Sequence, residues 1–340
     1  MRVSESLAHN SLKIKNKMKQ RLLKILEQFK NKKILVVGDI MLDKYIWGEV
    51  SRISPEAPVQ VVNVLKETYE PGGTSNVANN VAALDGNAFM VGIAGNDEAK
   101  NVLLKELKKR EINTDGIFID NEKPTTQKVR IVGRSQQLLR VDYEKKEHVH
   151  KNIEHSIIEF LELIIKDVDV IVISDYAKGV ITPAICSRLI EISRNYNKAV
   201  IVDPKPKHRD IYSNATLITP NNAEASEMTN IEDGDDAVFD IGTKLLKYLN
   251  ANVLITRGEK GMSLFEKDGK ITHIPAKAKE VYSLIGAGDT VVATIALALA
   301  SGASLEEAAT LSNIAAVIKV GKIGTASVSI EEIKKGIEEL

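Results

Sequence analysis

Ile34-Leu35-Val36-Val37-Gly38-Asp39 decides the fold class. A short run with no polar face is a strand buried on both sides, and its Gly-Asp ending delivers polar groups at the carboxyl end. The pattern recurs in Val170-Ile171-Val172-Ile173-Ser174-Asp175, Ala199-Val200-Ile201-Val202-Asp203-Pro204, Leu217-Ile218-Thr219-Pro220-Asn221 and Val253-Leu254-Ile255-Thr256-Arg257-Gly258. Helical patterns over 151–166, 182–196, 223–229 and 237–249 separate these strands. Buried strands alternating with helices specify a mostly parallel sheet with helices on both faces, an α/β fold. Ligands in such folds bind outside the carboxyl ends of the strands. Asp39, Asp43, Asp175, Asp203, Asn221 and Arg257 fall at or just beyond those ends.

A second stretch, Ser283-Leu284-Ile285-Gly286-Ala287-Gly288-Asp289-Thr290, runs into the apolar helix pattern 291–300. Backbone N–H groups at a helix start lack intrahelical partners and carry the positive end of the helix dipole. Gly286, Ala287 and Gly288 let an anion approach them closely. Asp289 then lies in the first turn, beside the anion. A carboxylate there suits removal of a proton from a hydroxyl attacking phosphorus. An Asp that merely caps a buried helix is the simpler alternative.

Two segments break the rhythm. Residues 44–67 and 125–143 alternate in character and read as antiparallel strands, the first pair linked by Ser54-Pro55-Glu56-Ala57-Pro58. They form either a small lid over the strand ends or an edge extension of the main sheet. A lid would exclude water, as phosphoryl transfer requires.

The 340 residues carry 46 basic and 46 acidic side chains, which argues against a broad nucleic-acid surface. One cysteine, Cys186, leaves no disulfide framework and no cysteine metal site, and fits a cytoplasmic setting. Cys186 lies in an apolar helical pattern and reads as packing. Val291–Ala300 is far shorter than the roughly 20 apolar residues that span a membrane. No secretory leader is apparent. Residues 11–33 are Lys-rich and amphipathic, with Leu22, Leu23, Ile25, Leu26 and Phe29 near one face. The expected organisation is a helical extension over 1–30 and a single domain over 31–340. The leading helix is expected to dock on the domain rather than on a membrane.

With Gly286–Asp289, Pro71-Gly72-Gly73-Thr74-Ser75-Asn76 and Asn221-Asn222-Ala223-Glu224 in this order, the chain resembles the ribokinase-like (PfkB) carbohydrate kinases from about residue 33 to 330. Within them it is similar to the heptose 7-phosphate kinases, through 37–45, 51–59, 174–179, 256–264 and 320–325. The resemblance implies a ribokinase-like fold with a small antiparallel β lid. It implies phosphorylation of the anomeric hydroxyl of D-glycero-β-D-manno-heptose 7-phosphate by ATP with Mg²⁺, towards ADP-heptose. Asp289 would be the base, and Gly286, Ala287 and Gly288 the anion hole. Asp43, Gly72, Gly73 and Asn76 would hold the sugar. Arg52, Arg130, Arg134, Arg140 and Lys178 are candidates for its phosphate, and Asp175 for orienting the sugar or Lys178. Asn221 and Glu224 would position Mg²⁺–ATP, Glu224 acting on the metal through water, unless they are only a helix cap. Thr256, Arg257, Gly258, Gly261 and Asn313 would line the nucleotide.

Relatives usually carry Asp-x-Thr where this chain has Ser283 and Ile285. Ser is a weak cation ligand and the Ile side chain is none, so monovalent-cation activation is expected to be weak or absent. A homodimer through the lid is implied, with no nucleic-acid or membrane partner. The chain stops at residue 340, so kinase activity alone is expected of it. Alternatives are a kinase of another sugar or sugar phosphate, and a sugar-phosphate binder without catalysis.

Overall fold

The computed structural model describes residues 16–134, 136–234, 236–276, 282–322 and 326–340. Two sheets make up the strand content. The large one has nine strands: β1 (Lys33–Gly38), β4 (Asn87–Gly95), β5 (Asn113–Asp120), β8 (Val170–Ser174), β9 (Ala199–Asp203), β10 (Leu217–Ile218), β11 (Asn252–Thr256), β12 (Met262–Phe265) and β13 (Ile271–Ile274). Their order is β13-β12-β11-β10-β9-β8-β1-β4-β5, parallel except for β12 and β13 at one edge. The chain leaves β1 for β4 and β5 on one side, then returns to β8 on the other. The crevice outside the carboxyl ends of β1 and β8 is therefore the switch point where such sheets bind ligands.

Alternation along β1 shows why both sheet faces are covered. Ile34 and Val36 enter one core, and Leu35 and Val37 the other. The first core takes in α1 (16–27), α2 (Thr74–Ala83), α3 (Glu98–Lys109), α8 (Ala287–Ala300), α9 (Leu305–Val320) and α10 (Ile330–Glu338). The second takes in α4 (Lys151–Ile164), α5 (Pro183–Asn195), α6 (Asn222–Thr229) and α7 (Val238–Leu249).

Helix α1 buries Leu22, Ile25 and Leu26, with Phe29 just beyond it, and Arg21 reaches Glu307 at 3.0 Å and the Gly302 carbonyl at 2.8 Å. It thus packs as part of the body. The first fifteen residues of the expected extension, and 323–325 of the quoted 320–325 stretch, lie outside the described residues. Cys186 is buried, its Sγ 3.2 Å from the Ile211 carbonyl, and burial, then Asp175, pushes its thiol up to about 12. No helix among the described residues is long and apolar enough to cross a membrane.

The small sheet is β3-β2-β6-β7, built from β2 (Ile40–Ile53), β3 (Gln60–Gly73), β6 (Gln127–Gly133) and β7 (Gln136–Tyr143). It is a separate sheet, which settles the lid against the edge extension. The two hairpins are antiparallel within themselves, but β2 and β6 meet in parallel, Leu42 facing Gln127 and Tyr45 facing Arg130. The join is parallel because β2 and β6 both leave the body at the strand ends and run outward together.

Candidate active site

Gly286 is the N-cap of α8, with a left-handed φ of 73°. A Cβ there would stand 2.8 Å from Asn76 Nδ2. Only glycine meets both demands cheaply. Ala287 N–H points back at the Leu284 carbonyl, 3.3 Å away. At Gly288 a Cβ would find no atom within 4 Å, so the first turn opens onto free space. Asp289 follows, 7% exposed. Asn76 Nδ2 donates to its Oδ2 at 2.6 Å and the Tyr176 hydroxyl donates to Oδ1 at 2.8 Å. Burial raises its carboxyl above the ordinary range, and these two donors pull it part of the way back. Asp43 pushes it further up and Lys319 draws it down. Asn80 braces the arrangement, donating to the Asn76 carbonyl at 2.7 Å and accepting from Thr290 Oγ1 at 2.9 Å.

Asp289 stands between two cavities. The lid-side cavity holds Asp43, Gly72, Gly73, Asn76, Lys128, Arg130, Arg140 and Lys178. Gly72 has no room for a side chain, because a Cβ would lie 2.9 Å from the Asp43 carboxyl carbon. The cations are held by carboxylates. Arg130 donates to Asp43 at 2.7 Å and Arg140 reaches Asp142 at 3.0 Å. Lys128 lies 2.7 Å from both Asp142 and Glu144, and Lys178 lies 2.6 Å from Glu144. Burial opposes ionisation of Glu144, yet the two lysines bring it down to about 2.

The second cavity, across α8, is lined by Asp203, Lys205, Thr219, Asn221 and Glu224. Asn221 and Glu224 form a reciprocal cap on α6: Asn221 Oδ1 accepts from Glu224 N–H at 2.9 Å, and Glu224 Oε2 from Asn221 N–H at 3.1 Å. Glu224 Oε1 pairs with Lys205. Capping and lining the cavity are therefore both true of this pair. Burial, with Asp289 and Glu224 adding to it, pushes the Asp203 carboxyl well up. Two carboxylates this close, with Lys205 offsetting part of their charge, suit a hydrated divalent cation beside phosphates. Beyond lies an apolar slot of Met262, Leu284, Val291, Ala316, Val317 and Val320, edged by Thr256, Gly258, Gly261 and Asn313. Its shape and lining suit a flat heterocycle, and Asn313 is oriented by donating to the Pro275 carbonyl at 2.9 Å.

Residues 31–333 match the model of the pfkB family carbohydrate kinases. The chain belongs to this family. It is 42% identical over 313 residues to the bifunctional protein HldE of Desulfatibacillum aliphaticivorans, covering 92% of this chain and 64% of that one. With the proteins of the same name from Geobacter metallireducens and Sulfurimonas denitrificans it shares 43%, over 88% and 92% of this chain and 61% and 65% of theirs. The chain thus spans less than two thirds of the length of these relatives. Arabidopsis thaliana ribokinase complexed with ribose and ATP superposes with a TM-score of 0.70 at 20% identity, over 91% of this chain and 99% of that one. Escherichia coli phosphofructokinase-2 in complex with fructose-6-phosphate gives 0.72 at 20% identity, over 92% and 99%. These two establish the ribokinase-like fold. The chain is a sugar kinase of that fold.

Four expected site residues are corrected by the geometry. Arg52 is exposed on the outer part of β2, paired across to Val61, and Arg134 is exposed at the β6–β7 turn. Neither lines the lid-side cavity, because the lid strands carry them beyond it. Asp175 does not face it either: its carboxylate accepts from His208 Nδ1 and the Tyr212 hydroxyl, each at 2.7 Å, and from Ala177 N–H at 2.7 Å. Arg257 reaches towards Ser263 and His273 and does not line the apolar slot, whereas Thr256 and Gly258 do. Sequence reading missed Tyr176, Lys128 and Lys205. Tyr176 lies between two residues singled out from 174–179, Lys128 precedes Arg130 by two on β6, and Lys205 follows Asp203 by two.

Proposed function

We propose that this chain transfers the γ-phosphoryl group of ATP to the anomeric C1 hydroxyl of D-glycero-β-D-manno-heptose 7-phosphate, giving the 1,7-bisphosphate on the way to ADP-heptose. The observation that carries the reading is Asp289, placed between a cation-lined cavity and a carboxylate-bearing one at the open N-terminus of α8. The heptose-kinase stretches and the identity to the HldE proteins support the choice of sugar.

In this reading Asp43 and Asn76 grip sugar hydroxyls, and Lys128, Arg130, Arg140 and Lys178 receive the 7-phosphate as forks and point charges. Asp289 takes the C1 hydroxyl proton as its oxygen attacks phosphorus in line. The Gly286 and Gly288 amides meet the charge that develops on the transferring group, and the Ala287 amide, turned to the Leu284 carbonyl, joins them only if that bond opens. No covalent enzyme intermediate is needed; positioning supplies the rate. Glu224 would hold Mg²⁺ through water, and the ion would supply neutralisation of phosphate charge there. Asn221 positions the triphosphate with Lys205, and Asn313 edges the adenine. Ser283 and Ile285 support catalysis without a monovalent-cation requirement. The lid edges expose Val64, Leu65 and Leu139, which supports a homodimer through the lid. The setting proposed is the cytoplasm.

The test is ADP release with Mg²⁺–ATP and either the heptose 7-phosphate, fructose 6-phosphate, ribose or no sugar, with Asp289→Asn as control. Selective activity on the heptose phosphate, lost in the control, is the expected result. Selectivity for another sugar would discard this substrate. Binding of the heptose phosphate without ADP release would mark a non-catalytic binder.

A further inference from the structure

Among the described residues around the base, Tyr176 alone reaches it from the switch-point loop after β8 and also touches the nucleotide side. Its hydroxyl donates to Asp289 Oδ1 at 2.8 Å, opposite the Asn76 donor on Oδ2. The Lys205 ammonium lies over its ring, 5.7 Å from the centroid, while pairing with Glu224. The backbone is fixed as firmly. Asp39, buried under the loop, accepts from Tyr176 N–H at 2.9 Å, Lys178 N–H at 3.0 Å and Val180 N–H at 3.0 Å. A tyrosine held at its backbone, ring and hydroxyl has little freedom to do anything but hold the carboxylate.

We propose that Tyr176 is a positioning residue of this kinase: with Asn76 it clamps the Asp289 carboxylate in one plane and keeps it ionised for the sugar hydroxyl. This rests on the reading of Asp289 as the base. A carboxylate accepting one donor on each oxygen cannot rotate without breaking a bond. Each donor also favours the charged form, against a burial that disfavours it. Burial and the charge of Asp289 hold the Tyr176 phenol well above its ordinary range, so it remains a donor wherever the enzyme works. Among the described residues, the other charged groups bearing on Asp289 are Asp43 from β2, Asp203 from the end of β9 and Lys319 from α9. None of them is removed by changing Tyr176.

Tyr176→Phe deletes the hydroxyl and keeps the ring, the packing and the Lys205 contact. It is expected to move the acid limb of kcat/KM up by about one pH unit, with both KM values within twofold. Below the limb the rate falls about tenfold, and above it the plateau is kept. Site-specific 3-fluorotyrosine, a more acidic phenol and a stronger donor of nearly the same shape, should move the limb the other way. An unmoved limb in both variants overturns the proposal, because a residue that only packs would give that result. A raised sugar KM with an unmoved limb overturns it too, and makes Tyr176 a substrate contact. A wild type without sugar-dependent ADP release removes the kinase reading, and this proposal with it. A wild type that is active and loses activity in Asp289→Asn, with an unmoved Phe limb, removes this proposal alone.

Discussion

Replacing Gly288 and Gly286 by alanine, one at a time, separates what the start of α8 does for the fold from what it does for phosphate. At Gly288 a new Cβ meets no atom within 4 Å, and the backbone is helical. Alanine in a helix is worth at most about 1 kcal/mol over glycine, so melting should stay put or rise slightly. Yet Gly288 borders both the heterocycle slot and the carboxylate-bearing cavity. A methyl there occupies the opening through which phosphate oxygen would reach the first-turn amides. Losing one hydrogen bond to a charged group costs about 1.5–3 kcal/mol, which is roughly a ten- to hundredfold fall in kcat/KM for ATP. Gly286→Ala should behave in the opposite way. Its φ of 73° costs an L-residue about 1–2 kcal/mol, and its Cβ displaces Asn76, the donor to Asp289. Its melting point should therefore fall, and its kcat with it. Calorimetry beside coupled ADP release reads both quantities. A Gly288→Ala enzyme with wild-type kcat/KM for ATP would refute the phosphate role of this turn, and one that melts early would refute the packing account.

Arg52→Ala and Arg134→Ala should leave the sugar-phosphate KM within twofold, whereas Arg130→Ala should raise it at least tenfold by stranding Asp43 (about 3–5 kcal/mol when a buried pair is broken, less here because solvent reaches it). Equal effects of the three would contradict the cavity described. Initial rates in K⁺ and in a potassium-free buffer should agree within twofold, and a tenfold stimulation would show that Ser283 and Ile285 leave a cation site intact. Asp175→Asn should destabilise the protein by about 1–3 kcal/mol, read by denaturant melts. Its pairing with His208 raises the imidazole pKa, so that contribution is full below about pH 6.5 and fades as pH rises through the higher folded value. The variant should lose that slope, and keeping it would assign the slope elsewhere. Native Cys186 should be silent to thiol reagents at pH 8 and react on unfolding; rapid native reaction would contradict its burial.

The parallel sheet was legible because a two-faced burial requirement writes itself as unbroken apolar runs. β1, β8, β9, β10 and β11 fall where those runs lie. The start of α8 was legible for a related reason: three small residues ahead of an apolar run mark a helix whose first turn is left open. The lid strands were legible as strands, but the parallel join of β2 to β6 was not. It depends on where two distant segments leave the body, and alternation carries no sign of direction. The cations of the lid-side cavity were legible only as a class. Arg130 and Arg140 face each other across β6 and β7 at the inner end of the lid, while Arg134 lies at the turn between them. Their fates diverge because register and distance from the hinge decide which guanidinium meets the cavity.

Asp175 and Tyr176 show the same limit at its sharpest. They are adjacent, both polar, and both at the end of β8, so every property visible in the chain gives them equal claims on the site. Three N–H groups from the following residues converge on Asp39, and this closes the loop into a tight ring around a buried carboxylate. In the closed loop the two consecutive side chains go to different partners. Asp175 goes beneath, to His208 and Tyr212, and Tyr176 goes above, to Asp289. Asp39, the Asp of the Gly-Asp ending that decides the fold class, thus also decides which neighbour reaches Asp289. Asp39→Asn keeps the shape of that anchor but not its charge. It should loosen Tyr176 and Lys178 together, lowering kcat and raising the sugar-phosphate KM in one variant. A loss confined to either parameter would mean that the two side chains are held independently of the ring.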